Sequence, residues 1–124
     1  MLRWNALRHS RNRPEPVIAV VAAGERWHGA TGPLRVAVED LVGAGAVLGA
    51  LADFAADLAL SPEAMAAVAA VGRADSALDT FLASCTSGGE LIERSFAVDV
   101  TIAAALDVSD LAPVLVDDEL RAKF

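Results

Sequence analysis

The longest apolar run of the sequence, residues 41–60, limits the kind of protein the chain can form. Asp53 and Asp57 interrupt it and three glycines lie within it, so it is a poor candidate for a transmembrane helix. Hydrophobic residues make up 55% of the chain but aromatic residues only 5%, which favours closely packed helices rich in Ala, Val and Leu. The N-terminus lacks the apolar core and cleavage site of a secretory signal. We therefore expect a soluble, cytoplasmic protein with no membrane partner.

Charge is distributed unevenly along the chain. Residues 1–13 carry four arginines and no acidic residue, a net charge of +4, which leaves 6 basic and 17 acidic residues, or −11, in residues 14–124. The chain of 124 residues suits one domain. We expect a basic N-terminal tail, 1–13, before a single domain, 14–124. A nucleic-acid-binding domain usually has a basic face on its folded part, so no nucleic-acid partner is expected.

The first half of the chain reads as a strand followed by a helix. Val17–Val21 is a β-branched apolar run that Gly24 ends, which predicts one buried strand. Thr31 or Gly32 is the expected N-cap of the next helix, with Pro33 as its first residue. The buried stripe of this helix is expected to comprise Leu34, Val38, Leu41, Val42, Gly45, Leu48 and Ala52.

The second half reads as three further helices and a short strand. Ser61 is the expected cap of one helix, with Pro62 and Glu63 in its first turn. The next helix, capped by Asp75, is expected to run into a polar turn at residues 85–91, and a fourth helix covers residues 96–110. A strand at Pro113–Val116 follows. This order predicts an α/β fold of layered helices on a small mixed sheet whose remaining strands lie elsewhere.

A polar cluster follows the first predicted strand. In open α/β sheets, ligands bind beyond the carboxyl ends of the strands, where Glu25 and Arg26 would lie. On the predicted helix, Arg35 and Glu39 are four residues apart and share a face, with Asp40 about 100° further round. Arginines bind phosphate in a bidentate manner, and paired carboxylates can hold Mg²⁺. The cluster therefore predicts a site for an anionic ligand and a hard metal ion.

Structural explanations of the same residues remain open from the sequence alone. Arg35 and Glu39 could form a surface ion pair, the glycines could serve close helix packing, and Trp27 could cap the core. The turn that contains Ser87 and Gly88 could present backbone N–H groups to an anion, or it could be an ordinary helix cap. The lone Cys85 excludes an internal disulfide and is expected to be a small buried side chain.

Two segments resemble a known family. "AGERWHGATGPLRVAVEDLVGAGAV", residues 23–47, is similar to the 2-phosphosulpholactate phosphatase family, in which Gly-Glu-Arg-Trp is followed by Leu-Arg, Glu-Asp and Gly-Ala-Gly. "SGGELIERSFAVDVTIAAALDVSDLAPVL", residues 87–115, resembles the closing segment of that family. Gly89 stands where the family usually has Arg, and Ser95 where it usually has Gly. The resemblance extends from about Val17 to Val116.

The resemblance implies a Mg²⁺-dependent α/β phosphatase that hydrolyses 2-phosphosulpholactate or a related small anionic phosphoester. It implies that Glu25 and Asp40 hold Mg²⁺ and that Arg26 and Arg35 hold the anionic groups of the substrate. Glu39 would orient Arg35. The implied catalytic residues are Glu25, Arg26, Arg35, Glu39 and Asp40, and the implied substrate-binding residues are Arg26, Arg35, Ser87 and Gly88.

Members of this family are considerably longer than the chain. The resemblance therefore implies the C-terminal half of a larger phosphatase fold, weakly active alone, which forms a homodimer or pairs with a separate N-terminal half. The alternative is a non-catalytic anion-binding or assembly module derived from the family.

Overall fold

The computed structural model describes residues 17–55, 57–74 and 77–123. The expected α/β character is confirmed, because the described residues form five helices and four short strands. In chain order these are β1 (Glu25–Arg26), β2 (Leu34–Arg35), α1 (Val38–Phe54), α2 (Pro62–Ala74), α3 (Leu78–Ser84), α4 (Thr86–Glu93), α5 (Ala97–Ala103), β3 (Ala112–Val116) and β4 (Glu119–Lys123). The predicted basic tail, 1–13, lies outside the described residues.

The strands form two separate antiparallel pairs and not the single mixed sheet that was expected. Glu25 of β1 pairs with Arg35 of β2, and β3 pairs with β4. The predicted strand at Val17–Val21 is wrong: this segment has no regular structure, and Val17 and Val21 are 90% and 82% exposed. β-Branched residues favour a strand where neighbours pack against them, and within the described chain no strand pairs with this segment.

Helix α1 begins later than predicted. Pro33 and Leu34 do not open the helix, because Leu34 belongs to β2 and the helix starts at Val38. The carbonyl of Pro33 accepts a hydrogen bond of 3.0 Å from the N–H of Trp27, which ties this segment into the hairpin of β1 and β2. The torsion of proline suits an extended segment as well as a first helical turn.

The core lies between the helices. α1 packs along α2, and α3, α4 and α5 pack against one another. Of the predicted stripe on α1, Val42 and Gly45 are buried, whereas Leu34 is 66% exposed. A Cβ atom at Gly45 would lie 2.6 Å from the carbonyl carbon of Ala67, so glycine permits the close approach of α1 and α2. The residues at the centre of the core are Val42, Ala74, Leu78, Leu82 and Val100.

The start of α2 agrees with the prediction. The Oγ atom of Ser61 accepts a hydrogen bond of 3.2 Å from the N–H of Ala64. The pKa of Glu63 is lowered from its usual value near 4.5, chiefly by its own backbone N–H and secondarily by the Ser61 hydroxyl. The negative charge of Glu63 is thus stabilised at the N-terminus of the helix. Asp75, the predicted cap of the next helix, lies outside the described residues.

The polar turn predicted at residues 85–91 is wrong, because a helix, α4, begins there. Cys85 is its N-cap, and Sγ accepts a hydrogen bond of 3.3 Å from the N–H of Gly88. Gly88 is buried against the end of α3, where an added Cβ would be 2.9 Å from the carbonyl carbon of Leu82. The polar composition of residues 85–91 suggested a turn, but the side-chain cap and the packing of Gly88 stabilise a helix instead. The helix predicted at residues 96–110 is confirmed in its first half as α5.

The C-terminal hairpin of β3 and β4 is largely exposed. The predicted strand Pro113–Val116 is confirmed within β3, whereas β4 was not predicted. Asp117 and Asp118 form the connecting turn with φ angles of 50° and 62°, as two-residue hairpin turns require. Every residue of β3 is exposed. Among the helices that the structure describes, none is long and apolar enough to cross a membrane.

Candidate functional site

Two long-range contacts assemble the candidate site around the hairpin of β1 and β2. The N–H of Gly24 donates a hydrogen bond of 2.7 Å to Oδ2 of Asp40, in the first turn of α1. Nη2 of Arg35 donates one of 2.8 Å to Oε2 of Glu90, on α4. Gly24 has a φ of 76°, a conformation that favours glycine. Both contacts lie at the open end of the hairpin, where Glu25 pairs with Arg35, and they tie this end to the start of α1 and to α4.

The side chain of Arg35 is largely buried at the contact with α4. It is only 5% exposed, against 40% for Glu90. The guanidinium carbon lies 5.0 Å from the centre of the Trp27 ring, in cation–π range. Nε of Arg35 is shielded from solvent and has no hydrogen-bond partner among the described residues.

Glu39 does not orient Arg35 as expected. Arg35 lies in β2 and not on the helix, so the two residues do not share a helical face, and Arg35 pairs with Glu90. Glu39 instead accepts a hydrogen bond of 3.6 Å from Sγ of Cys85. Cys85 is half-buried and not fully buried as expected. The contact places the first turn of α1 beside the N-terminus of α4.

Ser87 and Gly88 form part of the first turn of α4. Oγ of Ser87 is shielded from solvent and has no hydrogen-bond partner among the described residues. The N–H of Gly88 already donates to Cys85 and is thereby occupied. Of these two predicted binding residues, Ser87 is the one with a free polar group.

Glu25 and Arg26 are both exposed. Nη1 of Arg26 donates a hydrogen bond of 2.7 Å to the carbonyl of Gly32, within the same hairpin. Oε1 of Glu25 accepts one of 2.7 Å from the N–H of Arg26. The structure thus gathers Arg35, Glu39, Asp40 and Ser87 at the contacts between the hairpin, α1 and α4, whereas the contacts of Glu25 and Arg26 are within the hairpin.

Two clefts adjoin these residues. The first has a volume of about 390 Å³, and Arg35 is its one charged lining residue beside apolar side chains and the backbone of Gly24. The second has a volume of about 230 Å³ and is lined by Glu39 and Asp40 among apolar residues. The first cleft suits an anion with an apolar portion, and the second offers carboxylate oxygens.

The carboxylates near the hairpin are the possible ligands of a Mg²⁺ ion. Within the described residues, no group of three or more His, Cys, Asp or Glu side chains could enclose a metal ion. Mg²⁺ is commonly bound by one or two carboxylates together with water and substrate phosphate. Asp40 uses only Oδ2 in its bond to Gly24. Within the described residues the carboxylates therefore do not form a closed metal site, and Oδ1 of Asp40 remains without a hydrogen bond to Gly24.

Several contacts of the site carry no signal in the sequence. Glu90 is 55 residues from its partner Arg35, and no local pattern connects them. Cysteine is not among the preferred N-cap residues, so the capping role of Cys85 could not be predicted. Glu90 lies within the segment 87–115 that resembles the family, and the resemblance assigned it no role.

The chain was compared with known proteins. A family model described as 2-phosphosulpholactate phosphatase matches residues 4–118. This match includes both segments in which the resemblance was seen. No curated protein and no solved structure matches the chain.

Proposed function

The chain belongs to the 2-phosphosulpholactate phosphatase family, and from this membership we propose that it hydrolyses 2-phosphosulpholactate or a related small anionic phosphoester. The proposal includes a dependence on Mg²⁺ and weak activity of the chain by itself. A cytoplasmic location is part of the same proposal.

One observation supports an anionic ligand above all: a buried arginine with an unsatisfied donor beside a cleft. Buried polar groups are almost always hydrogen-bonded, and an exception calls for an explanation such as an absent ion. Arg35 is 5% exposed and its Nε has no partner among the described residues. A phosphate, sulphonate or carboxylate oxygen in the cleft would accept charge-assisted hydrogen bonds from the N–H groups of Arg35 that Glu90 does not engage.

The other residues of the site are proposed to serve the metal and the remaining substrate groups. Asp40 and Glu25 would hold Mg²⁺, which supplies electrostatic stabilisation of the phosphoryl oxygens. Ser87 would donate its hydroxyl to the substrate once a side-chain rotation exposes it. Arg26 would meet an anionic group at the exposed rim after leaving the carbonyl of Gly32. Glu39 would contribute negative charge near the metal.

Phosphate release from 2-phosphosulpholactate tests this proposal. The purified chain should release phosphate slowly with Mg²⁺ and not with EDTA. Arg35→Ala should reduce the rate by about ten- to a hundred-fold, since a hydrogen bond to a charged group contributes roughly 1.5 to 3 kcal/mol. Arg73→Ala, which changes an exposed arginine on α2, is the control and should leave the rate unchanged.

Two results would contradict the proposal. Activity that persists in EDTA would exclude the Mg²⁺ dependence. Binding of the substrate without any release of phosphate, in the chain and in mixtures with a family N-terminal half, would identify a binding module and not a phosphatase.

The proposed partner is a second copy of the chain or a separate N-terminal half. Apolar side chains of the C-terminal hairpin remain exposed, with Leu115 at 65% and Leu120 at 75%. On α5, Ile102 and Val98 are 65% and 69% exposed. Exposed apolar patches of this kind mark interaction surfaces, and two-fold pairing is the commonest way in which copies cover them.

A further inference from the structure

The side chain of Arg35 is held from two sides by residues that come from different parts of the chain. The Trp27 ring lies 5.0 Å from the guanidinium carbon, and Oε2 of Glu90 accepts from Nη2 at 2.8 Å. An arginine has several rotatable bonds, and its orientation is costly to fix without such contacts. The two contacts restrict both the plane and the rotation of the guanidinium.

The contact with Glu90 uses only part of what the guanidinium offers. Arginine has five N–H donors in a planar fork, and a carboxylate often takes two of them in parallel. Here a single bond joins Nη2 to Oε2, and Nε is left without a partner among the described residues. The contact with Glu90 thus leaves the other N–H groups of the guanidinium unused by this carboxylate.

The charge of Glu90 by itself should oppose anion binding. A carboxylate next to an arginine cancels part of the positive potential of the arginine. Glu90 is 40% exposed, so its negative charge would also repel an anion that approaches from solvent. A benefit from Glu90 to an anion must therefore come through geometry. This opposition makes the two effects separable by experiment.

We infer that Glu90 is a positioning residue that, with Trp27, fixes the guanidinium of Arg35 so that the N–H groups not engaged by Glu90 are presented to an anion in the cleft that Arg35 lines. The inference rests on the proposed function for the identity of the ligand. Helix α4, through Glu90, thereby orients a substrate-binding group that lies in β2.

Binding of inorganic phosphate, followed by calorimetric titration, separates positioning from charge. Glu90→Gln removes the charge but keeps an amide oxygen that can accept from Nη2, whereas Glu90→Ala removes both. Positioning predicts that Glu90→Gln binds phosphate as well as the unaltered chain or better. Glu90→Ala should bind about ten-fold more weakly, the loss expected for a misplaced charged hydrogen bond. Glu93→Ala, at an exposed position of the same helix, is the control and should not weaken binding.

Fluorescence of Trp27 tests the inference independently of any ligand. In a Trp4→Phe background, Trp27 is the single tryptophan of the chain. Release of the guanidinium from the ring should increase quenching by acrylamide in Glu90→Ala but not in Glu90→Gln or Glu93→Ala. Melting curves recorded alongside show that each variant is folded at the temperature of measurement.

The outcomes are distinct. Equal or tighter phosphate binding by both Glu90 variants would overturn the inference, since charge alone explains that result. Unchanged Trp27 quenching in Glu90→Ala would also overturn it. If the unaltered chain binds no phosphate while the quenching differs as expected, the orientation of Arg35 by Glu90 stands and the anion site of the proposed function fails.

Discussion

Gly45 should be the glycine of α1 that least tolerates alanine. An added Cβ would lie 2.6 Å from the carbonyl carbon of Ala67 and 2.8 Å from Cγ2 of Val71, whereas carbon atoms in contact are normally about 3.5 to 4.0 Å apart. The two helices would have to separate by about 1 Å, a gap that forfeits roughly a quarter to a half of the attraction between facing atoms.

The expected effect of Gly45→Ala is a loss of stability. Overpacking of this kind costs about 1 to 3 kcal/mol, and the better helix propensity of alanine returns roughly 0.5 to 1 kcal/mol. At the middle of both ranges the net loss is about 1 kcal/mol, or a fall in Tm of roughly 3 to 6 °C for a chain of this size. Urea denaturation and a thermal melt measure both quantities.

Gly43→Ala is the matched control on the same helix. No atom lies within 4 Å of a Cβ added at Gly43, so only the propensity gain of about 0.5 to 1 kcal/mol remains. Gly43→Ala should therefore stabilise the chain. If Gly45→Ala stabilises it to the same extent, α1 does not approach α2 at Ala67 and the described helix packing is wrong.

Two further predictions concern pH and association. The lowered pKa of Glu63 means that its charge stabilises the folded chain above about pH 4.5 and that this contribution is lost as the pH falls through the lower pKa of the folded state. Glu63→Gln should therefore melt earlier than the unaltered chain at pH 7, with the difference closing as the pH falls below 4.5 and through the lower pKa of the folded state; a constant difference would contradict the role of the charge. The chain should form dimers at tens of micromolar in light scattering, because its exposed hairpin and α5 leave apolar side chains uncovered. A monomer at that concentration would contradict this.

The helices were more predictable than the strands for a physical reason. The start of α2 depends on Ser61 and its near neighbours, and such local interactions can be read from the sequence. Val17–Val21 has the composition of a strand, but a strand needs a partner, and the sequence does not reveal that none is supplied within the described chain. β1 and β2 were not predicted for the same reason, because each is only two residues long and is defined by its pairing with the other.

The residues of the site were more predictable than their contacts. The family resemblance indicated Arg35, Glu39 and Asp40, and the structure brings them to neighbouring elements. Their partners were not predictable, because Glu90 and Cys85 reach them across 55 and 46 residues. Assigning Arg35 to a helix also implied the wrong partner, since Glu39 would have been one turn away.

The bond between Arg35 and Glu90 has a consequence for the order of folding. It closes a loop across 55 residues, and the entropy lost in closing a loop increases with its length. The contact of α1 with α2 joins helices that are neighbours in the chain and requires a much shorter closure. The helical pair should thus be established in the transition state while the guanidinium is still free, with φ-values near zero for Arg35 and Glu90. Loss of that bond would then act mainly by accelerating unfolding, so the lifetime of the assembled site, more than the speed of its formation, depends on α4.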